Sequence, residues 1–451
     1  MPASAAAAAI GQAAAASAPG LAWGIPFVGV LASIALGPTV APSAWRRFAG
    51  LAMAIWSVAL IAAQAATGGT MVAEATLGHA VLEDYVPFVS LLLALYVCGG
   101  GILLRGGPWG RPAGNALLLT IGTLLASVIG TTGASMVLVH PLLRANEHRR
   151  QKGHLLVFFI VLVANVGGAL SPIGDPPIYM GFLQGVPFFW PTSRLLVPVL
   201  LVAAPVIGAF YVLDRCLASR EPGEPRAERL RLDGIGNLAL IGVVVAAVAG
   251  LGSAQLGSFR VAGQSVPLDR LASAAVCLAV TGISVLATPA AVRRANIFTW
   301  HPIREVAEIF AAIFITVVPV LAMLHAGREG PLSGVVGLVA NGSGAPVPAA
   351  YFWAAGLLSS VLDNAPTYLV FFGLAGGDAA RLTGPLARTL VAISAGSVFF
   401  GGLTYIGNAP NMMVRAIAEH RGVRAPGFFG YSAAAAAILV LPLLLVTLLV
   451  L

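Results

Sequence analysis

Two carboxylates stand where an apolar chain has least use for them. Asp175 lies in ANVGGALSPIGDPP (164–177) and Asp363 in LDNAPTY (362–368). Small polar residues gather round each acid. Thr131, Thr132 and Ser135 fall in GTTGASM (130–136), and Asn165, Ser171 and Gly174 share the stretch with Asp175. Asn364 and Thr367 flank Asp363, while Thr404, Gly407, Asn408 and Asn411 fall in LTYIGNAPN (403–411). Hydroxyl, amide and carbonyl oxygens beside a carboxylate suit a hard cation such as Na⁺. A buried carboxylate can hold a cation or a proton but gains little from both at once. The chemistry these residues point to is competition between Na⁺ and H⁺ for one site. Asp175, Asp363 and Glu305 are the candidate proton-coupling acids. Asp363 and Asp175 also suit helix N-caps, a role compatible with ion binding. Glu83, Asp84, Glu308 and Glu305 itself, near the ends of apolar runs, read first as interfacial or capping residues, and His140 reads as structural.

The rest of the chain must position these residues inside a bilayer. Of 451 residues, 58% are hydrophobic and 9% charged. Soluble domains carry roughly 25% charged residues, so the expected class is an all-α polytopic membrane protein. The formal net charge of +8 comes from arginines in short loops between apolar runs. That placement marks topology rather than nucleic-acid binding. Cys98, Cys216 and Cys277 lie apart, without metal or redox spacing. The sequence carries no nucleotide-binding loop or nucleophile elbow, so an enzyme and a cofactor beyond the transported ions are not expected. Residues 1–20 are alanine-rich without a basic start, and read as a disordered or fraying end rather than a signal peptide.

A spanning helix needs about 20 mostly apolar residues. On that basis about 11 spans and two interrupted hairpins are expected. The first half, 21–213, holds spans near 21–39, 49–66 and 84–104, a hairpin near 114–143, a broken helix near 154–190 and a span near 194–213. The polar stretch 214–234 reads as a solvated linker. The second half, 235–451, holds spans near 235–252, 271–288 and 305–324, a hairpin near 348–376, a broken helix near 388–418 and a final span from about 431.

The halves resemble one another. SVIGTTGASMV (127–137) aligns with SVLDNAPTYLV (360–370), and LSPIGDPP (170–177) with LTYIGNAP (403–410), both at an offset of 233. Paired Gly/Pro-interrupted segments in corresponding positions point to a transporter's binding site. Loop charge gives orientation. If the loop 40–48 is cytoplasmic, only Arg194, Arg260, Arg270, Arg328, Arg381 and Arg388 of the 25 basic residues fall outside. That bias requires both hairpins to enter and leave on one side, the first facing the cytoplasm and the second the exterior. The two repeats are therefore expected to be inverted, with the linker 214–234 cytoplasmic.

At GTTGASM, ANVGGALSPIGDPP, LDNAPTY and GGLTYIGNAPNM the sequence resembles the ion-transporter superfamily. That group includes NhaD-type sodium/proton antiporters, arsenite permeases and divalent-anion/sodium symporters, and the chain looks most like the NhaD-like, citrate-transporter-domain branch. The resemblance implies two re-entrant hairpins, two unwound helices, a midplane site, an elevator-like or rocking motion, a homodimer and a bacterial inner-membrane location. The chain departs from the carboxylate symporters, whose hairpin tips carry Ser-Asn-Thr where this one has Gly-Thr-Thr-Gly and Asp-Asn-Ala-Pro. With acids and no arginine in the broken segments, exchange of Na⁺ or Li⁺ for H⁺ is the first expectation. Na⁺-coupled uptake of citrate or another carboxylate is the second, and arsenite-type efflux the third.

Overall fold

The computed structural model describes residues 20–220, 228–252, 254, 256–261 and 264–451. The expected N-terminal tail, save Gly20, and residues 221–227 of the linker lie outside them. Among the described residues, eight helices are long and apolar enough to cross a membrane, and three shorter apolar helices accompany them. The protein is an all-α polytopic membrane protein; the described residues add two short two-stranded antiparallel pairings.

The first half opens with α1 (Ile25–Val40), α2 (Pro42–Gly68) and α3 (Thr70–Gly99), the last running through a π-helical segment, His79–Tyr85. This third span starts well before the expected residue 84. Its polar residues do not end the helix because they pair inside the protein: His79 with Glu83 at 3.2 Å, and Asp84 with Arg270 at 3.9 Å. After β1 (Leu103–Gly107) come α4 (Pro112–Ile129) and α5 (Thr131–Ala145), which form the first hairpin. Its base is closed by Asn115 and Asn146, whose amides donate to each other at 3.0 Å in both directions. Then follow α6 (Gly153–Leu162), a 3-10 turn (Val166–Leu170), α7 (Pro176–Leu183) and the long α8 (Trp190–Ala218).

The polar stretch 214–234 is more structured than a solvated linker. Asp214 is fully buried on α8, bonded to Arg149 and, at 2.9 Å, to His154. Residues Glu228–Asp233 form β2, antiparallel to β1 with Leu103 opposite Asp233. The charge run hid both features: Asp214 has partners distant in sequence, and alternation in ERLRLD is too short to announce a strand.

The second half runs α9 (Gly236–Leu251), the hairpin β3 (Ser258–Val261) and β4 (Gln264–Pro267), α10 (Leu268–Ala287), α11 (Ala290–Ala295) and α12 (His301–His325). Beyond a short α13 (Ser333–Leu338), α14 (Pro348–Val361) and α15 (Asn364–Leu374) form the second hairpin. The Tyr351 hydroxyl donates to Leu374 O at 3.2 Å across its base. After α16 (Ala379–Thr383), α17 (Ala387–Phe399), a 3-10 turn (Phe400–Leu403) and α18 (Ala409–His420) make the second broken helix, and α19 (Phe428–Leu449) ends the chain.

Each break rests on a close backbone crossing that only glycine permits. A Cβ on Gly174 would sit 2.2 Å from Gly168 O, and one on Gly407 would sit 2.7 Å from Gly401 O. These pairs correspond at the offset of 233. Replacing Gly174 by Ala is therefore expected to lower the thermal midpoint of the purified protein. Gly208→Ala, on α8 with nothing within 4 Å of the added carbon, leaves the midpoint unchanged or higher. Equal midpoints for Gly174→Ala and wild type would show that the crossing is not needed.

Candidate functional site

The two breaks and the two hairpin tips meet. Both breaks are extended where an α-helix would be tightly wound. Ser171 has φ −147° and ψ 157°, and Thr404 has φ −135° and ψ 166°. Asp175 and Asn408 then occupy the N-cap positions of the second arms, with φ −138° and −156°, but neither side chain bonds the first turn. Proline follows each cap, at 176 and 177 and at 410, where a missing N–H costs nothing in the first helical turn. The extended backbone exposes groups that the hairpins satisfy. The Ser171 hydroxyl donates to Ser127 O, and the Thr404 hydroxyl donates to Ser360 O at 2.5 Å. Thr131 N–H donates to Gly174 O at 2.8 Å.

Asp175 is buried where these parts converge. Its carboxylate accepts from Thr131 Oγ1 at 2.9 Å, Asn408 Nδ2 at 3.1 Å and Asn364 Nδ2 at 2.5 Å. One donor comes from each hairpin tip and one from the other break, so four segments from both halves share one carboxylate. All three donors are neutral. Asn364 Oδ1, Ser135 Oγ and Ser397 Oγ are buried without a partner. An unpartnered buried polar atom costs about 1–3 kcal/mol, and Asn364 Oδ1 belongs to an amide already touching Asp175.

Asp363 stands at the tip of the second hairpin. Its side chain accepts from Ala365 N at 3.3 Å, capping α15, and it also borders a cavity of about 60 Å³. The capping role and the cavity-facing role thus coexist. The cavity is bounded on its polar side by Gly130, Thr131, Thr132, Gly174, Asp363 and Asn408. Its apolar wall is set by Leu95 and Tyr96 of α3 and by Ile303, Val306 and Phe310 of α12. Among the described lining residues there is a carboxylate and no Lys, Arg or His.

The remaining sequence candidates take supporting positions. Asn165 donates to Ile160 O at 2.8 Å and to Asn411 Oδ1 at 2.8 Å, and Asn408 reaches it at 3.3 Å. Asn411 donates in turn to Gly401 O and Thr404 O at 2.8 and 2.9 Å. Thr367 bonds to Asp363 O at 3.1 Å within its own tip. Gly407 serves the backbone crossing. Glu305 is not brought to the site: its carboxylate accepts from the Trp45 indole of α2 at 2.9 Å, because α12 turns this residue away from the cavity wall formed by Ile303 and Val306. His140 joins α5 to other elements, with Nε2 at 3.2 Å from Asn296 O and Nδ1 accepting from Arg421 at 3.1 Å.

Sequence reasoning passed over Ser127 and Ser360, which hold the breaks through their carbonyls. Both were present in the matched pair SVIG and SVLD, so the repeat could have nominated them. The apolar wall from α3 and α12 left no such signal. Among the described residues no three of His, Cys, Asp and Glu gather as a metal site, so any cation here must use the hydroxyl, amide and carboxylate oxygens.

A family model described as "Putative citrate transport" matches residues 16–451, nearly the whole chain. The chain belongs to this family. As a member of the citrate-transport family, it is a multi-pass membrane transporter of the secondary type. No curated protein matches it. The unwound segments and facing hairpins described above are the part of this family member where a substrate or coupling ion has polar atoms to meet.

The Asn165–Asn411 pair carries the brace between the halves. Asn411→Leu removes donors to two buried carbonyls and the acceptor of Asn165, so it is expected to destabilise by about 2–4 kcal/mol. Urea or thermal unfolding of the purified protein checks this. A loss under about 0.5 kcal/mol, the range of ordinary surface changes, would remove the brace from the account.

Proposed function

We propose that this protein exchanges Na⁺ (or Li⁺) for H⁺ across the bacterial inner membrane, with both ions competing at Asp175 and Asp363. The observation that carries the reading is Asp175 itself. It is a buried carboxylate, 1% exposed, met by neutral donors from both halves, two of which, Thr131 and Asn408, line a cavity bordered by a second acid. Ionised groups inside a membrane protein are costly unless neutralised or engaged in transport. A Na⁺ ion can be held by carboxylate oxygen with Asn364 Oδ1 once that amide turns its oxygen inward, together with Thr131, Thr132 or Asn408 oxygens. A proton on Asp175 removes the charge that attracts the ion. The same donors accommodate either state, which is the requirement for exchange at one site.

In this reading the two halves lie oppositely oriented in the membrane, with the loop 40–48 and the linker 214–234 cytoplasmic, and the protein works as a homodimer. The two hairpins and two breaks move relative to the wall built by α3 and α12. Size supports a small ion. A buried water needs about 10–15 Å³ of such space, so 60 Å³ suits an ion with a few ligands better than a tricarboxylate.

Membership of the citrate-transport family favours a second reading, Na⁺-coupled uptake of citrate. Here Na⁺ neutralises the two acids and citrate enters when the tips part from the wall. Reconstituted liposomes with an imposed pH gradient separate the two readings. Proton release on adding NaCl or LiCl, indifferent to citrate, is the result expected. Citrate-dependent ²²Na⁺ uptake without proton release would replace exchange by symport.

Asp175→Asn and Asp363→Asn are each expected to abolish the Na⁺-driven proton signal while the protein still inserts and purifies. Wild-type rates in both would leave the acids as caps. In wild type, acid opposes Na⁺. Below the carboxyl's own pKa, half-saturating Na⁺ rises about tenfold per pH unit lost, as one-proton competition requires. A half-saturation that does not move with pH would separate the proton from the Na⁺ site.

A further inference from the structure

The arm that begins at Asp175 is held at its other end by a residue outside the site. On α7, Asp175 is the N-cap and Leu183 the last helical residue. Arg270 of α10 donates from Nη2 to Leu183 O at 2.5 Å and from Nη1 to Glu83 O at 3.0 Å. The same Nη1 lies 3.9 Å from Asp84 Oδ1. A cation at a helix C-terminus bonds the carbonyls that lack intrahelical partners and meets the negative end of the dipole. Arg270 is mostly buried, so its hold on α7 is not traded freely against water.

The guanidinium is tied to a titratable group of its own. His79 Nδ1 lies 3.2 Å from Glu83 Oε1, and His79 Nε2 lies 3.8 Å from Asp84 Oδ2. All three sit on the π-helical segment of α3, a departure from regular helix that recurs at functional sites. The charges facing this group are Arg270 from α10 and the two acids. Glu308 of α12 lies near Tyr85 but is paired with Arg304 at 2.7 Å, and the Tyr179 hydroxyl of α7 contacts Pro87 O at 3.4 Å. Two carboxylates against one arginine leave one negative charge over, which a proton on His79 balances. Losing that proton leaves Asp84 to draw more strongly on Arg270, whose other bonds are to the Glu83 and Leu183 carbonyls.

We propose that Arg270 is a positioning residue for the Asp175 site. It fixes the C-terminal end of α7, about 12 Å along the helix at 1.5 Å per residue, and the proton on the His79–Glu83–Asp84 group sets how firmly it does so. The inference rests on the proposed transport reading for its consequence, not for its geometry. Protonated His79 leaves Arg270 free to hold Leu183 and α7 stays seated. With His79 neutral the hold weakens and Asp175 loses part of its alignment with Thr131 and Asn364. The site thus responds to pH through a group it does not contain.

The test uses the full chain in liposomes, comparing wild type, R270Q, R270K and H79Q. R270Q is expected to raise half-saturating Na⁺ about tenfold, within the usual range for coupling between sites. R270K, which keeps the charge but cannot span both carbonyls, shows a similar loss if R270Q does not fold. H79Q flattens the response of half-saturating Na⁺ to outer pH. R270Q or R270K with wild-type half-saturation and wild-type pH profile overturns the proposal. If wild type moves neither Na⁺ nor citrate, the transport reading fails by itself, and hydrogen exchange then reads the latch alone. Amides of α7 are expected to lose protection in the Arg270 variant. In wild type their protection falls as pH rises, and in H79Q it does not; α7 protection indifferent to both substitutions overturns the latch.

Discussion

A backbone broken inside an apolar interior must have its freed N–H and C=O groups satisfied by protein, since lipid offers no partner. That constraint organises this molecule. Each break is sealed by a hydroxyl from its extended stretch, Ser171 onto Ser127 O and Thr404 onto Ser360 O. Each is packed so tightly that a glycine must face a glycine carbonyl, at 174 against 168 and at 407 against 401. The hairpins therefore do more than line a cavity: their first arms supply the carbonyls that let the neighbouring helices stay unwound. Asn411 and Asn165 finish the work by consuming carbonyls on both sides of the divide and bonding each other. Polar atoms that could ligate an ion are brought to one place as a by-product of closing this account of backbone groups.

The treatment of buried charge separates the site from the scaffold. Asp214 is buried against Arg149, His154 and Asn115, and these partners draw α4, α6, α8 and the loop between α5 and α6 together beside the base of the first hairpin. Asp84 has Arg270 and His79. Both acids thus meet formal or available positive charge, and a buried acid so compensated needs no transported ion to balance it. The donors to Asp175 are a hydroxyl and two amides, which satisfy its lone pairs without cancelling its charge. The difference lies in what is still owed to the carboxylate: at Asp214 nothing, at Asp175 one positive charge that the protein does not supply. A mobile cation or proton can.

The helical class, most spans, both hairpins and both breaks were legible because hydropathy and Gly/Pro interruption are local signals. ANVGGALSPIGDPP and LTYIGNAPN announce unwinding by composition, and the offset of 233 pairs them without any three-dimensional information. Residues whose partners lie far along the chain were not legible. Asp214 looked like the start of a solvated linker because Arg149 and Asn115 are distant in sequence. Glu305 looked like a membrane acid near the site, and only the packing of α2 against α12 turns it to Trp45. The third span was placed too late because His79, Glu83 and Asp84 lower local hydropathy, while their compensation by Arg270 is invisible to a window. Periodicity reads what a segment prefers; it does not read who neutralises it.

The same physics explains why the two halves, alike in outline, differ at their acids. At the first tip Gly130 has φ +79°, a conformation a side chain resists, so no carboxylate can stand there without strain. The matched position in the second tip, Asp363, has φ −58° and admits a side chain that caps α15. At the breaks the order is reversed: Asp175 and Asn408 share one extended conformation, yet only the first is charged. An acid at both break caps would set two carboxylates against each other across Asn165, because Asn408 Nδ2 already reaches Asp175 at 3.1 Å. An amide at 408 turns that repulsion into a bond, and the second acid stands instead at 363, where the backbone admits a side chain beside the cavity. One carboxylate per half, at unlike positions, keeps the acids off the direct contact that the Asn408–Asp175 bond occupies.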